Sequence, residues 1–263
     1  MLAAQESLGT DDNRGVIWLV RIHYDAGSTD TGLQGIEVER LGTASRFGIK
    51  RQLKRRKALL VDLGDVIMGY DRTRTYRAIG HVIGRGFRDV EARIESTDLR
   101  QRYERGEVTD DVFCEQLAGL FGEDQARLKL LLPEFWGDIF WPSKEMIQSL
   151  GVLRQQGVTL VLFSDTNSLH FAHIRKDYPE IVELFDKQIL SYEIGETKPH
   201  AKMFQVALHW LTGERGIATA DVLYVDDLED NVLAAREHGI QGFLFRSYTH
   251  FVFWLRKQGL YVP

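Results

Sequence analysis

Cysteine is almost missing from this 263-residue chain. Cys114 stands alone, which excludes an intramolecular disulfide and any cysteine-built zinc site. No apolar run approaches the roughly 20 residues a membrane-spanning helix needs. The opening Met1-Leu2-Ala3-Ala4-Gln5-Glu6 lacks the basic-then-apolar order of a secretion signal, so the expectation is a cytoplasmic chain. A basic excess is lacking too. With a formal net charge of -5 there is no reason to expect nucleic acid as a partner. Internal repeats and low-complexity tracts are also absent. What is present is 44% apolar and 27% charged residues, the make-up of a soluble globular protein able to bury a sizeable core.

The chain turns on Ala58-Leu59-Leu60-Val61-Asp62-Leu63-Gly64-Asp65. A short apolar run ending in a carboxylate and a glycine reads as a buried parallel strand with its acid at the carboxyl end, after which Gly64 would let the backbone turn sharply. Before it, residues 1–57 read as a weakly ordered N-terminal extension of unknown role. Only Val16 to Tyr24 is strand-like there, and six basic residues lie among Lys50 to Lys57. Such a run suits an acidic surface, but is more simply a solvated stretch. From 70 to 142 the pattern is helical and charged. Thr109 N-caps a helix whose Phe113, Leu117, Leu120 and Phe121 recur at helical steps. Phe135, Trp136, Phe140 and Trp141 read as packing. After 143, helices alternate with strands at 158–163, 187–190, 221–225 and 242–245. The fold expected is therefore α/β, a Rossmann-like parallel sheet of residues 58–69 and 143–263 with a helical domain, 70–142, inserted.

Three of these strands end in polar clusters: Asp62, Ser164-Asp165 and Asp226-Asp227, with Asn231 following. A parallel sheet gathers such ends along one edge, where ligands bind. Lys198 arrives on a loop before Pro199. Carboxylates, a hydroxyl and an ammonium converging on one point suit a divalent cation beside a phosphate. His170 and His173 lack a third ligand for zinc. Gly84-Arg85-Gly86 follows no strand, which leaves a dinucleotide fingerprint unsupported.

With Val61-Asp62-Leu63-Gly64-Asp65-Val66, Leu162-Phe163-Ser164-Asp165-Thr166-Asn167, Thr197-Lys198-Pro199 and Val225-Asp226-Asp227-Leu228-Glu229-Asp230-Asn231 in order, the chain resembles the haloacid dehalogenase-like hydrolase superfamily over about residues 58–257. The insert resembles that family's helical C1 cap. Local wording is similar to the branch holding α-D-glucose-1-phosphate phosphatase and the N-terminal phosphatase domain of epoxide hydrolases. The resemblance implies a Mg2+-dependent phosphatase of small phosphorylated metabolites. Asp62 would be its nucleophile and a metal ligand, together with the Gly64 carbonyl and Asp226. Ser164, Asp165 and Lys198 would meet the phosphoryl group, while Asp227 and Asn231 support the metal end.

Two positions depart from the family pattern. Gly64 stands where most phosphatases of the superfamily carry an acid–base Asp, whose loss typically costs about 10²–10⁴-fold. A stable leaving group, such as a sugar anomeric oxygen, suffers less, which points to a sugar phosphate. Asp165 replaces the branch's usual Asn and adds negative charge next to the phosphate. Two rival readings follow: a haloacid dehalogenase, which needs no metal and so leaves Asp226-Asp227 without a purpose, or a catalytically weak binding or regulatory protein of the same fold.

Overall fold

The computed structural model describes residues 2–11, 16–25, 33–43, 57–122, 125–137 and 139–263, with side chains from Lys57 onward except at 125–129 and 134. The chain divides into two compact units, Met1–Arg55 and Arg56–Pro263. In the first unit, strands β1 (Leu2–Asp11), β2 (Val16–Asp25) and β3 (Leu33–Thr43) form an antiparallel sheet in that order. Sequence pattern singled out only the β2 run. Its partners are polar, glycine-bearing segments without a clean apolar alternation, so the period-2 signal that marks a strand is weak in them. Of the basic run, Lys50–Arg56 lie outside the described residues, and Lys57 donates from Nζ to the Gln258 carbonyl at 2.7 Å.

The second unit is built on five parallel strands: β4 (Ala58–Val61), β7 (Thr159–Ser164), β8 (Lys187–Leu190), β9 (Val222–Asp226) and β10 (Gln241–Leu244), in the order β10-β9-β4-β7-β8. β4 is central. Its four residues are all buried, because alternate side chains feed cores on both faces of the sheet. Leu59 and Val61 join a core with Leu162, Val225, Phe171 and Phe251, and Ala58 and Leu60 join one with Val161, Phe163, Phe204 and Tyr224. Those layers include helices α6 (Lys144–Gln155), α7 (Ser168–Asp177) and α12 (Tyr248–Lys257) on one side, and α10 (Ala201–His209) and α11 (Glu229–Glu237) on the other.

Between β4 and α6 lies the helical insert: α1 (Arg72–Ile83), α2 (Phe87–Glu95), α3 (Leu99–Glu104), α4 (Asp110–Phe121) and α5 (Gln125–Gly137). These helices surround a core of their own, in which Tyr103 stacks on Phe113 at 4.0 Å and Trp136 meets Phe113 edge-on at 4.8 Å. Thr109 caps α4 by accepting from the Val112 N–H, and Cys114 is buried on that helix. The absence of β structure expected across 70–142 needs one correction. Two short antiparallel strands, β5 (Met68–Tyr70) and β6 (Phe140–Pro142), tie the ends of the insert together. Gly69 leaves room for the Trp141 indole opposite it, since a Cβ there would stand 2.3 Å from the ring nitrogen. Trp141 is therefore exposed at the edge, whereas Trp136 and Phe140 are buried.

Phe113→Ala is expected to remove about 3–5 kcal/mol of stability in urea unfolding, since it empties the centre of the insert. Phe253→Ala, at a side chain 57% exposed, is expected to change it by less than about 0.5 kcal/mol.

Candidate active site

The carboxyl ends of β4, β7 and β9 lie side by side because these strands are neighbours in the sheet. Asp62 carries the ladder one step past β4, donating its N–H to the Val225 carbonyl at 3.0 Å. That places Asp62, Ser164 and Asp226 along one edge, with Lys198 brought over them by the loop after α9 (Ser191–Ile194). The Lys198 ammonium is buried and donates to Asp62 Oδ1 at 2.5 Å, Asp226 Oδ2 at 2.8 Å and the Phe163 carbonyl at 3.1 Å. All three ammonium hydrogens are thereby used.

Asp226 is the most enclosed of the acids. Both its oxygens accept from Asn231 Nδ2 at 3.1 Å, Oδ1 accepts from the Leu228 N–H at 2.8 Å, and Oδ2 accepts from the Tyr224 hydroxyl. Burial raises the Asp62 carboxyl well above the ordinary carboxylate range, with Lys198 opposing and Asp226 and Asp227 adding to the rise. Burial also disfavours the charge on Lys198, but the facing Asp62, Tyr224 and Asp226 outweigh it and hold the ammonium protonated. One ammonium between two buried carboxylates leaves the cluster short of positive charge. Oxygens of Asp62, Asp226 and Asp227 lie within 4.8 Å of one another. Three carboxylates with no nitrogen or sulfur donor suit a hard divalent cation. Asp227, expected only as a support, thus stands among the possible ligands, and Asn231 orients Asp226.

Two expectations change in detail. Asp165 lines the cavity, but one of its oxygens accepts from the Lys198 backbone N–H at 2.9 Å. Its carboxylate therefore anchors the lysine loop. Gly64 was expected to allow a sharp turn, yet the positive φ, 52°, belongs to Asp65. The turn closes by Asp65 N–H to the Met68 carbonyl at 2.7 Å and Met68 N–H to the Leu63 carbonyl at 2.9 Å. At Gly64 the constraint is close approach: a Cβ there would stand 3.0 Å from Tyr70 Cε1. Tyr70 occupies the space into which a side chain at 64 would grow.

Asp62, Gly64, Ser164, Asp165, Lys198, Asp227 and Asn231 all line one cavity of about 250 Å³. Sequence reasoning missed the part of this lining that the insert supplies, Tyr70, Arg72, Arg100 and Glu104. No motif marks these residues; only the folded insert brings them there. Tyr224 had a readable signal, since it precedes Asp226 by two positions and so faces the same way on β9. His170 lines the cavity as a neutral imidazole. Burial pushes it down to about 3, with the nearby Arg72 charge adding to the effect. Asn167 binds it at 3.0 Å while capping α7. His173 pairs instead with Asp177 at 3.3 Å.

Comparison with known proteins agrees with this geometry. A family model described as haloacid dehalogenase-like hydrolase matches residues 52–239. The chain is 24% identical over 197 residues to D-ribitol-5-phosphate phosphatase of Bacteroides thetaiotaomicron, covering 71% of this chain and 90% of that protein. It is 29% identical over 194 residues to phosphoglycolate phosphatase of Aliivibrio fischeri, covering 73% and 78% respectively. A magnesium complex of a HAD family enzyme from Bacteroides thetaiotaomicron superposes with a TM-score of 0.62 at 24% identity, over 75% of this chain and 98% of that one. Among the described residues, no helix is long and apolar enough to cross a membrane.

Asp165 gives this site a pH signature. Burial lifts its carboxyl from an ordinary 3.8 to about 6, so the folded state binds that proton more tightly than the unfolded chain. Stability is therefore lost as the pH rises from about 4 through about 6. Asp165→Asn removes that loss while keeping an acceptor for the Lys198 N–H. Thermal unfolding should show the variant gaining on the wild type between pH 4 and pH 7. A difference that stays flat over that range contradicts the assignment.

Proposed function

The chain belongs to the haloacid dehalogenase-like hydrolases, and from that premise we propose that it is a Mg2+-dependent phosphatase releasing phosphate from a small phosphorylated metabolite. The observation that carries this reading is the clustering of Asp62, Asp226 and Asp227 oxygens within 4.8 Å, beside a buried lysine, with Asp62 and Asp227 lining one cavity. Attack on a carbon–halogen bond involves no phosphoryl charge and gives three clustered acids no purpose. The two relatives support small monoesters, being named for D-ribitol 5-phosphate and phosphoglycolate.

Asp62 is the nucleophile. Its free carboxylate oxygen attacks phosphorus, the ester P–O bond breaks, and the leaving alkoxide takes a proton from water because Gly64 offers none. The aspartyl-phosphate is then opened by water, which returns the Asp62 carboxylate and frees inorganic phosphate. A divalent cation held by Asp62, the Gly64 carbonyl and Asp226, with Asp227 in reach, would neutralise phosphoryl charge as the two anions meet. Lys198 holds Asp62 in line through its 2.5 Å contact and shares the task of neutralisation. Ser164, which lines the cavity, donates to a phosphoryl oxygen in place of its 3.4 Å contact with the Asp165 carbonyl. Asp165 keeps the Lys198 loop in place, and Asn231 with Tyr224 fixes the orientation of Asp226.

Phosphate release from monoesters is expected to need Mg2+, to stop with excess chelator, and to fall by on the order of 10³-fold or more in Asp62→Asn. Release that persists in chelator contradicts the reading. Mg2+ should also raise the unfolding temperature of the wild type, by mass action on the folded state, and raise that of Asp226→Asn far less. An equal rise in both would remove Asp226 from the metal site.

A further inference from the structure

As the ester P–O bond breaks, the leaving alkoxide draws a proton from water, and the hydroxide so formed needs an acid in the cavity. Few of the groups that line it can serve. The three Lys198 ammonium hydrogens go to Asp62, Asp226 and the Phe163 carbonyl. A guanidinium does not give up its proton in a protein, which removes Arg72 and Arg100. Glu104 is paired with Arg100 at 2.8 Å, and the Tyr70 hydroxyl is bonded to Arg72 at 3.0 Å. Burial keeps His170 neutral, and its one N–H goes to the Trp136 backbone. Asp62 and Asp227 belong to the carboxylate cluster.

Asp165 remains. It lines the same cavity as Asp62 and Ser164. Only its Oδ1 is engaged, by the Lys198 backbone N–H at 2.9 Å, and Oδ2 has no hydrogen-bond partner among the described residues. Its loop is pinned to the insert, since the Ser191 hydroxyl meets the Thr166 N–H at 2.9 Å and the Glu104 carbonyl at 2.6 Å. The carboxyl is thus held beside the phosphoryl position with one oxygen to spare. Burial lifts it to about 6, against the pull of Lys198 and with help from Glu104 and Asp226. An acid of that strength gives and recovers a proton near neutral pH.

We propose that Asp165 is the acid of this reaction, its Oδ2 passing a proton through the water at the leaving oxygen to the departing alkoxide. The Oδ2–H bond breaks as the alcohol O–H bond forms. The Asp165 carboxylate then takes the proton of the water that opens the aspartyl-phosphate, so each turnover returns it to its starting state. The assignment rests on the phosphatase reading and deepens it.

The test uses two esters with Mg2+: glycerol 3-phosphate, whose alkoxide needs a proton, and p-nitrophenyl phosphate, whose phenolate leaves without one. Asp165→Asn keeps an acceptor for the Lys198 N–H, so it removes the proton and spares the anchor. It should lower kcat/KM for glycerol 3-phosphate about 10²-fold more than for p-nitrophenyl phosphate, within the range a positioned acid supplies. The alkyl-to-aryl ratio should also fall more steeply above about pH 6 in the wild type than in the variant. A displaced Lys198 loop would depress both esters alike. Tyr70→Phe, which takes the phenol proton from the lining, should leave the ratio as it is. Equal losses on both esters in Asp165→Asn, a pH profile shared by wild type and variant, a ratio that falls in Tyr70→Phe instead, or a wild type that cleaves only the aryl ester overturns the assignment and leaves the phosphatase reading standing. No phosphate release from either ester overturns both.

Discussion

The site depends on one buried ammonium. Lys198 reaches Asp62 and Asp226 from a loop that shares no strand with either, and it bonds the Phe163 carbonyl as well. Removing one partner of such a buried pair costs about 3–5 kcal/mol, because the other charge is left without compensation. The cluster remains rich in negative charge even with the lysine in place. That excess would favour a further cation beside Asp62, Asp226 and Asp227.

Around this centre the fold supplies two kinds of support. The sheet brings three strand ends to one edge, and the insert closes the far side. Contacts between the two are specific. The Ser191 hydroxyl donates to the Glu104 carbonyl at 2.6 Å, and it also meets the Thr166 backbone N–H at 2.9 Å. One side chain thus joins the insert's third helix to the loop that carries Ser164 and Asp165. At Gly106 the insert's backbone comes so near that a Cβ would stand 2.1 Å from the Tyr192 carbonyl oxygen. The wall holding Arg72, Arg100 and Glu104 belongs to an insert with its own aromatic core.

Much of this was legible in the residues. The run Ala58–Val61 reads as a buried strand because it feeds two cores, and that is how it folds. The polar strand ends at Asp62, Ser164 and Asp226 converge because parallel order forces them to. Where the reading stopped, the physics was non-local. The short strands at Met68–Tyr70 and Phe140–Pro142 pair across the 69 residues between them, and neither carries enough alternation to declare itself. Gly64 shows its constraint only beside Tyr70. Asp165 looked like a burden on phosphate binding, and only the folded loop reveals the Lys198 N–H that it accepts from. The insert's share of the cavity lining has no sequence signature, because its members come from separate elements placed by packing.

The claim on which the account stands is that Asp62 carries the phosphoryl group. Rapid acid quench of the Mg2+-loaded protein during turnover of an ester with labelled phosphorus, followed by peptide mapping, tests it most directly. The account predicts acid-stable, hydroxylamine-labile label on the peptide containing Asp62, and none in Asp62→Asn. Label on another peptide, or steady turnover with no labelled protein at any quench time, would contradict it.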